Sequence, residues 1–161
     1  MKLIDNYKLM YKLGSGTYGN VWYGVHIQTN NIVAIKIDKK INTKRLKYEA
    51  YVLKHLINTD IVPQIKYYGE YGKYSYIIME YIGITIEEYY KTLLLNNDFI
   101  EDDIYWIKQE MIKCIEILHD KGIIHRDIKP QNFLISIEKK KIYVIDFGMA
   151  IFNNNINNIN D

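Results

Sequence analysis

The sequence holds one cysteine, Cys114, so it cannot build an internal disulfide framework. A single thiol fits a reducing compartment. Charge of one sign is not in excess either, since 21 Lys and Arg face 19 Asp and Glu for a net charge of +2. That balance supplies no global attraction to nucleic acid or to an anionic membrane, and neither is an expected partner. Long apolar runs are missing: nothing approaches the ~18 uncharged residues of a spanning helix. The best run, Tyr76 to Met79, is cut by Glu80. The amino terminus Met1-Lys2-Leu3-Ile4-Asp5 lacks the apolar core of a signal peptide. A cytoplasmic or nuclear location is therefore the expectation. Zinc-ligand spacing and internal repeats are also absent. What is present is a 161-residue chain, 48% hydrophobic, long enough for a domain with a sizeable core.

Residues 7–13 and 20–27 alternate apolar and polar side chains around a glycine-rich turn and read as a hairpin. Residues 31–37 make a third strand after the turn signal Thr29-Asn30-Asn31. Over 43–57, Leu46, Ala50, Leu53 and Leu56 or Ile57 share one helical face. Residues 67–70 and 73–80 read as two further strands around Tyr71-Gly72. Thr85-Ile86-Glu87-Glu88 has capping-box spacing and predicts a short helix. The clearest helix spans 101–121, with Ile104, Ile107, Met111, Cys114 or Ile115 and Leu118 at helical spacing and Lys121-Gly122 as its stop. Cys114 on that face reads as core. Short strands follow at 133–135 and 142–145, joined by the solvated Glu138-Lys139-Lys140-Lys141. The last nine residues contain six Asn and no apolar pattern, and read as a disordered tail.

Four groups of residues carry chemistry. In Gly14-Ser15-Gly16-Thr17-Tyr18-Gly19 the glycines Gly14, Gly16 and Gly19 allow backbone N–H groups to approach phosphate oxygens. Alone this pattern is better read as a hairpin turn. Its place between two strands, not between strand and helix, excludes a dinucleotide-fold or P-loop reading. Lys36 stands in the apolar strand Val33-Ala34-Ile35-Lys36; the plain alternative is an edge lysine with its head in water. Glu49, on the facing side of the first helix, supplies the counter-charge that a buried ammonium needs. The pair would direct the Lys36 ammonium to the α- and β-phosphates of a nucleotide. The third group is His125-Arg126-Asp127-Ile128-Lys129-Pro130-Gln131-Asn132, and the fourth is Asp146-Phe147-Gly148. A merely polar loop is a poor account of this spacing. Asp127 would take the proton of a substrate hydroxyl, and Lys129 would neutralise the transferred phosphoryl group. Asn132 and Asp146 offer oxygen ligands for Mg²⁺. His26, His55 and His119 lack any such context, and the tyrosine pairs Tyr67-Tyr68 and Tyr89-Tyr90 read as packing.

With these residues in this order, the chain resembles the eukaryotic-type protein kinases from about Tyr7 to Ala150. Lys129 is similar to the serine/threonine class. The segments from Ile61-Val62-Pro63 to Met79-Glu80-Tyr81-Ile82-Gly83 and around Lys129-Pro130-Gln131-Asn132 resemble the casein kinase I group, which commonly has Asp at the position of Gln131. The resemblance implies ATP and Mg²⁺ as cofactors and protein Ser/Thr hydroxyls as acceptors. It implies that Val21, Ala34 and Leu134 sandwich the adenine. Met79 would then be the gatekeeper and Glu80 to Ile82 the hinge whose backbone bonds adenine. Arg126 would meet activation-segment groups.

The expected architecture is α+β, a protein-kinase-like two-lobe fold. It has a five-stranded antiparallel first lobe with one helix (1–82, with the hinge), the beginning of a helical second lobe (83–152), and the tail (153–161). Because members of the family continue well past the Asp-Phe-Gly segment, the chain reads as one cut short there. Self-association through an exposed second-lobe surface is expected in consequence. The leading functional expectation is a serine/threonine protein kinase. The alternatives are a non-catalytic nucleotide-binding or regulatory fragment, and a small-molecule phosphotransferase.

Overall fold

The computed structural model describes residues 2–15, 19–38, 44–72, 74–96 and 101–153. These described residues fall into two compact units, divided after residues 57, 62 and 81, so that those up to 57 and those of 63–81 form one and the rest form the other.

The first unit is built on one antiparallel sheet. Its strands are β1 (Lys2–Ile4), β2 (Tyr7–Ser15), β3 (Gly19–His26), β4 (Ile32–Asp38), β5 (Ile65–Tyr71) and β6 (Tyr74–Glu80), in the order β1-β2-β3-β4-β6-β5. The five strands read from sequence are all there, and β1 adds a sixth at the edge by pairing Lys2 with Leu9 and Ile4 with Tyr7. Three residues are too few for periodicity to register. β4 is central, so it buries both faces. Val33 and Ile35 join Ile4, Leu9, Tyr76 and Ile78 in one cluster, while Ala34 and Lys36 point to the other side. The Tyr76 hydroxyl donates to the Asp5 carboxylate, and burial followed by that carboxylate pushes the phenol above its ordinary range.

Helix α1 (Lys44–His55) packs on β5 and β6 through Leu46, Ala50, Val52 and Leu53. Leu56, not Ile57, continues that buried stripe. Lys54 and His55 in the last turn suit the negative end of the helix dipole.

The second unit gathers around α3 (Glu101–Asp120), which buries Ile107, Cys114 and Leu118 against two small sheets. One sheet is ordered β10 (Lys141–Val144), β9 (Phe133–Ser136), β7 (Ile84–Thr85); the other pairs β11 (Ile151–Phe152) with β8 (Ile123–Ile124). Helix α2 (Ile86–Asn96) starts with a complete capping box. Thr85 N–H donates to Glu88 Oε2 at 2.8 Å, and Glu88 N–H donates to Thr85 Oγ1 at 3.1 Å. α3 ends at Asp120, and two residues on Gly122, with φ 68°, takes the left-handed conformation that follows a helix stop. Tyr105 and Ile112, two turns apart on α3, face outward. Gly16 and the Asn-rich end from residue 154 lie outside the described residues. Among the described residues no helix is long and apolar enough to cross a membrane.

Candidate active site

In the first unit, cross-strand register builds the site. Val21 lies opposite Lys36, and Ala34 lies opposite Met79. Opposed residues in an antiparallel sheet share a face, and so do residues two apart. Val21, Ala34, Lys36 and Met79 therefore line one surface. Lys36 Nζ reaches both oxygens of Glu49 on α1, at 2.6 and 2.7 Å. The lysine side chain is 16% exposed and the glutamate 3%. A hollow lined by Gly19, Lys36, Asp38, Arg45 and Glu49 opens beside the pair. Gly19 is required by the close approach of β3 and β4, because a Cβ there would sit 2.4 Å from the Ile37 carbonyl oxygen. A Cβ on Gly14 would meet open space. Glu80 N–H donates to the Gln64 carbonyl at 2.8 Å, which fixes the end of β6.

In the second unit, Asp127 and its neighbours form a closed network. Lys129 Nζ donates to Asp127 Oδ2 at 2.7 Å. Asn132 Nδ2 donates to the same oxygen and to the Asp127 carbonyl, each at 2.8 Å. The hydrogen bond from Lys129 is the main reason the Asp127 carboxyl titrates below its ordinary value, aided by Asn132. Asp127 is thus ionised at neutral pH and can only accept. Leu134 belongs to β9, where Phe133 and Ile135 turn into the core and Leu134 turns away from it.

Asn132 sits in a 3-10 turn that begins at Pro130. Its amide nitrogen is committed to Asp127, which leaves Oδ1 as the atom able to face a cation. Ile145 N–H donates to the Asn132 carbonyl at 3.0 Å, so the residue before Asp146 is tied to the other oxygen donor. An amide oxygen and a carboxylate on adjoining backbones suit a hard divalent ion such as Mg²⁺. Asp146 has φ 65° and Arg126 has φ 67°. Such strained non-glycine conformations gather where geometry serves function. Arg126 Nε donates to the Met149 carbonyl at 2.6 Å.

His125 was given no part of its own by the sequence, and the structure supplies one. It is 2% exposed. Its Nε2 bonds the Ile145 carbonyl at 2.9 Å, and its Nδ1 accepts the Asp127 N–H at 3.3 Å. The ring also meets Phe147 edge-on at 5.1 Å. These contacts require the neutral Nε2–H tautomer, and burial lowers the imidazole's pKa from its ordinary value. The one sequence signal was a histidine closing an apolar run, Ile123-Ile124-His125, just before the polar loop.

Lys36 and Glu49 are thus brought together in one unit, and Asp127, Lys129 and Asn132 in the other, with Asp146 linked to the latter through Ile145. The family model described as the protein kinase domain matches residues 7–161, a span that includes both sets.

Proposed function

The chain belongs to the protein kinase domain family, and from that premise we propose that it transfers the γ-phosphoryl group of ATP to serine or threonine hydroxyls of proteins, in the manner of the casein kinase I group. The observation that carries this reading is the Asp127 carboxylate held by both Lys129 and Asn132.

The roles follow from charge and donor type. Lys36, steadied by Glu49, holds the α- and β-phosphates, and Gly14 on β2 and Gly19 on β3 let phosphate oxygens approach the backbone. On the pattern of the family, Val21, Ala34 and Leu134 sandwich the adenine, Met79 is the gatekeeper, and the backbone from Glu80 to Ile82 offers the adenine hydrogen bonds. Asn132 and Asp146 are the ligands for Mg²⁺, which when bound offsets the charge of the triphosphate. Asp127 orients the acceptor hydroxyl and takes its proton. A carboxylate with a lowered pKa is a weak base, so orientation is its main contribution and proton transfer comes late. That suits phosphoryl transfer, whose loose transition state demands positioning more than base strength. Lys129 faces the charge on the transferred group. The outward Tyr105 and Ile112 of α3 are the surface through which copies of the chain would associate.

Casein, free sugars and aminoglycosides offered in parallel with labelled ATP–Mg²⁺ test the acceptor class. Label on phosphoserine or phosphothreonine of casein alone is expected. Label on the small molecules alone would replace the reading with a small-molecule phosphotransferase. Nucleotide-dependent thermal stabilisation with no transfer to any acceptor would replace it with a nucleotide-binding module.

A further inference from the structure

Three tyrosine rings in the first unit have no part in phosphoryl chemistry, yet they form a continuous ladder. Tyr11 on β2 stacks on Tyr23 on β3, with centroids 4.8 Å apart and planes 10° from parallel. Tyr23 then meets Tyr81 edge-on at 5.1 Å and 77°. The register explains the ladder. A bulge between Leu9 and Tyr11 places Tyr11 opposite Tyr23, whereas an unbroken ladder would set it opposite Trp22. Tyr23 lies opposite Ala34, and Ala34 opposite Met79. The rings accordingly stand on the same face as Val21, Ala34 and Lys36.

Simple packing accounts for Tyr11 and Tyr23, because neighbouring strands bring many such pairs together. It does not account so readily for Tyr81. β3 pairs with β2 and β4, whereas β6 pairs with β4 and β5. No backbone ladder therefore joins β3 to the residue that follows β6. The contact between Tyr23 and Tyr81 bridges the hairpin carrying the glycine turn and the middle of the segment from Glu80 to Ile82.

We propose that Tyr23 is a positioning residue for the adenine end of ATP, clamping the Glu80–Ile82 segment to the glycine hairpin through Tyr81. The proposal rests on the ATP reading above. Fixing that segment before the nucleotide arrives removes ordering that binding would otherwise require. The clamp therefore acts on nucleotide affinity and leaves the rate of transfer from bound ATP unchanged.

The test is titration of the full chain with a fluorescent ATP analogue and Mg²⁺, with a melting curve for each variant. Tyr23→Leu should weaken binding about three- to tenfold, the worth of one aromatic pair. Tyr81→Leu removes the same contact from the other side and should match it, which keeps the test alive if Tyr23→Leu does not fold. The double variant should lose no more than either single one, and Tyr23→Phe, which keeps the ring, should bind as the parent does. A lowered melting temperature with unchanged affinity would make the ladder structural only and overturn the proposal. So would fully additive losses. A parent chain that binds no nucleotide would sink the ATP reading and this proposal with it, whereas a parent that binds beside variants that bind equally well would sink this proposal alone.

Discussion

Removing Lys36 and removing Glu49 should have unequal consequences, and the inequality is fixed by burial. Glu49 is 3% exposed and Lys36 is 16% exposed. Lys36→Met leaves a carboxylate buried without its ammonium, a change that generally costs about 3–5 kcal/mol. The Lys36 side chain is 16% exposed, so water can reach the vacated position and keeps the cost at the lower end, about 3 kcal/mol. For a chain of this length that corresponds to a melting temperature lower by about 6–12 °C. Glu49→Gln instead leaves a lysine that can swing toward solvent, at about 1.5 kcal/mol for the lost charge-assisted bonds. The double variant Lys36→Met/Glu49→Met replaces the pair with apolar surface and should recover most of the loss seen in Lys36→Met. Thermal unfolding followed by circular dichroism reads all three. Transfer activity separates differently. Glu49→Gln keeps the ammonium but misplaces it, and should retain about a hundredth of the parent rate. The reasoning is refuted if Glu49→Gln destabilises more than Lys36→Met, or if the double variant is as unstable as the sum of the single ones.

Acid should destabilise the fold in a defined window. The folded pKa of His125 lies below its ordinary 6.5, so the unfolded chain binds the proton first and stability falls as pH drops below that value. Asp127 is depressed below its ordinary 3.8, so its contribution is complete above that pH and is lost only beneath it. Melting temperature measured from pH 7 to pH 4 should therefore decline in the parent and stay flatter in His125→Gln. Gly19→Ala forces a Cβ against the Ile37 carbonyl oxygen and should cost about 1–3 kcal/mol, whereas Gly14→Ala meets open space and should leave the melting temperature unchanged. Burial holds the Cys114 thiol up to about 12, so a thiol reagent at pH 8 should label the chain only after denaturant is added; rapid labelling of the native chain would contradict its placement in the core.

The sequence made the ion pair of the first unit legible because Lys36 was the one charged residue in an apolar strand and Glu49 recurred with Leu46 and Leu53 on one helical face. The network of Asp127, Lys129 and Asn132 was legible as a cluster because its residues are close in sequence. Thr85 and Glu88 announced a helix start through a purely local bond. The pairings β1, β7, β8 and β11 were not legible. Each has two or three residues, and β7, β8 and β11 pair with segments far along the chain. The role of His125 depends on the Ile145 carbonyl, twenty residues away. Arg126 and Asp146 adopt positive φ without the glycine that would have signalled it. The stacking of Tyr11 on Tyr23 follows from a bulge, and a bulge shifts every pairing that alternation alone would assign.

The central claim is that Asp127, engaged by Lys129 and Asn132, directs phosphoryl transfer from ATP. It is tested most directly by incubating the chain with γ-labelled ATP, Mg²⁺ and casein, beside Asp127→Asn, with matched melting curves to establish that both are folded. The account predicts label on casein from the parent and loss of at least about a hundredfold in the variant. Equal labelling by a folded Asp127→Asn would contradict it.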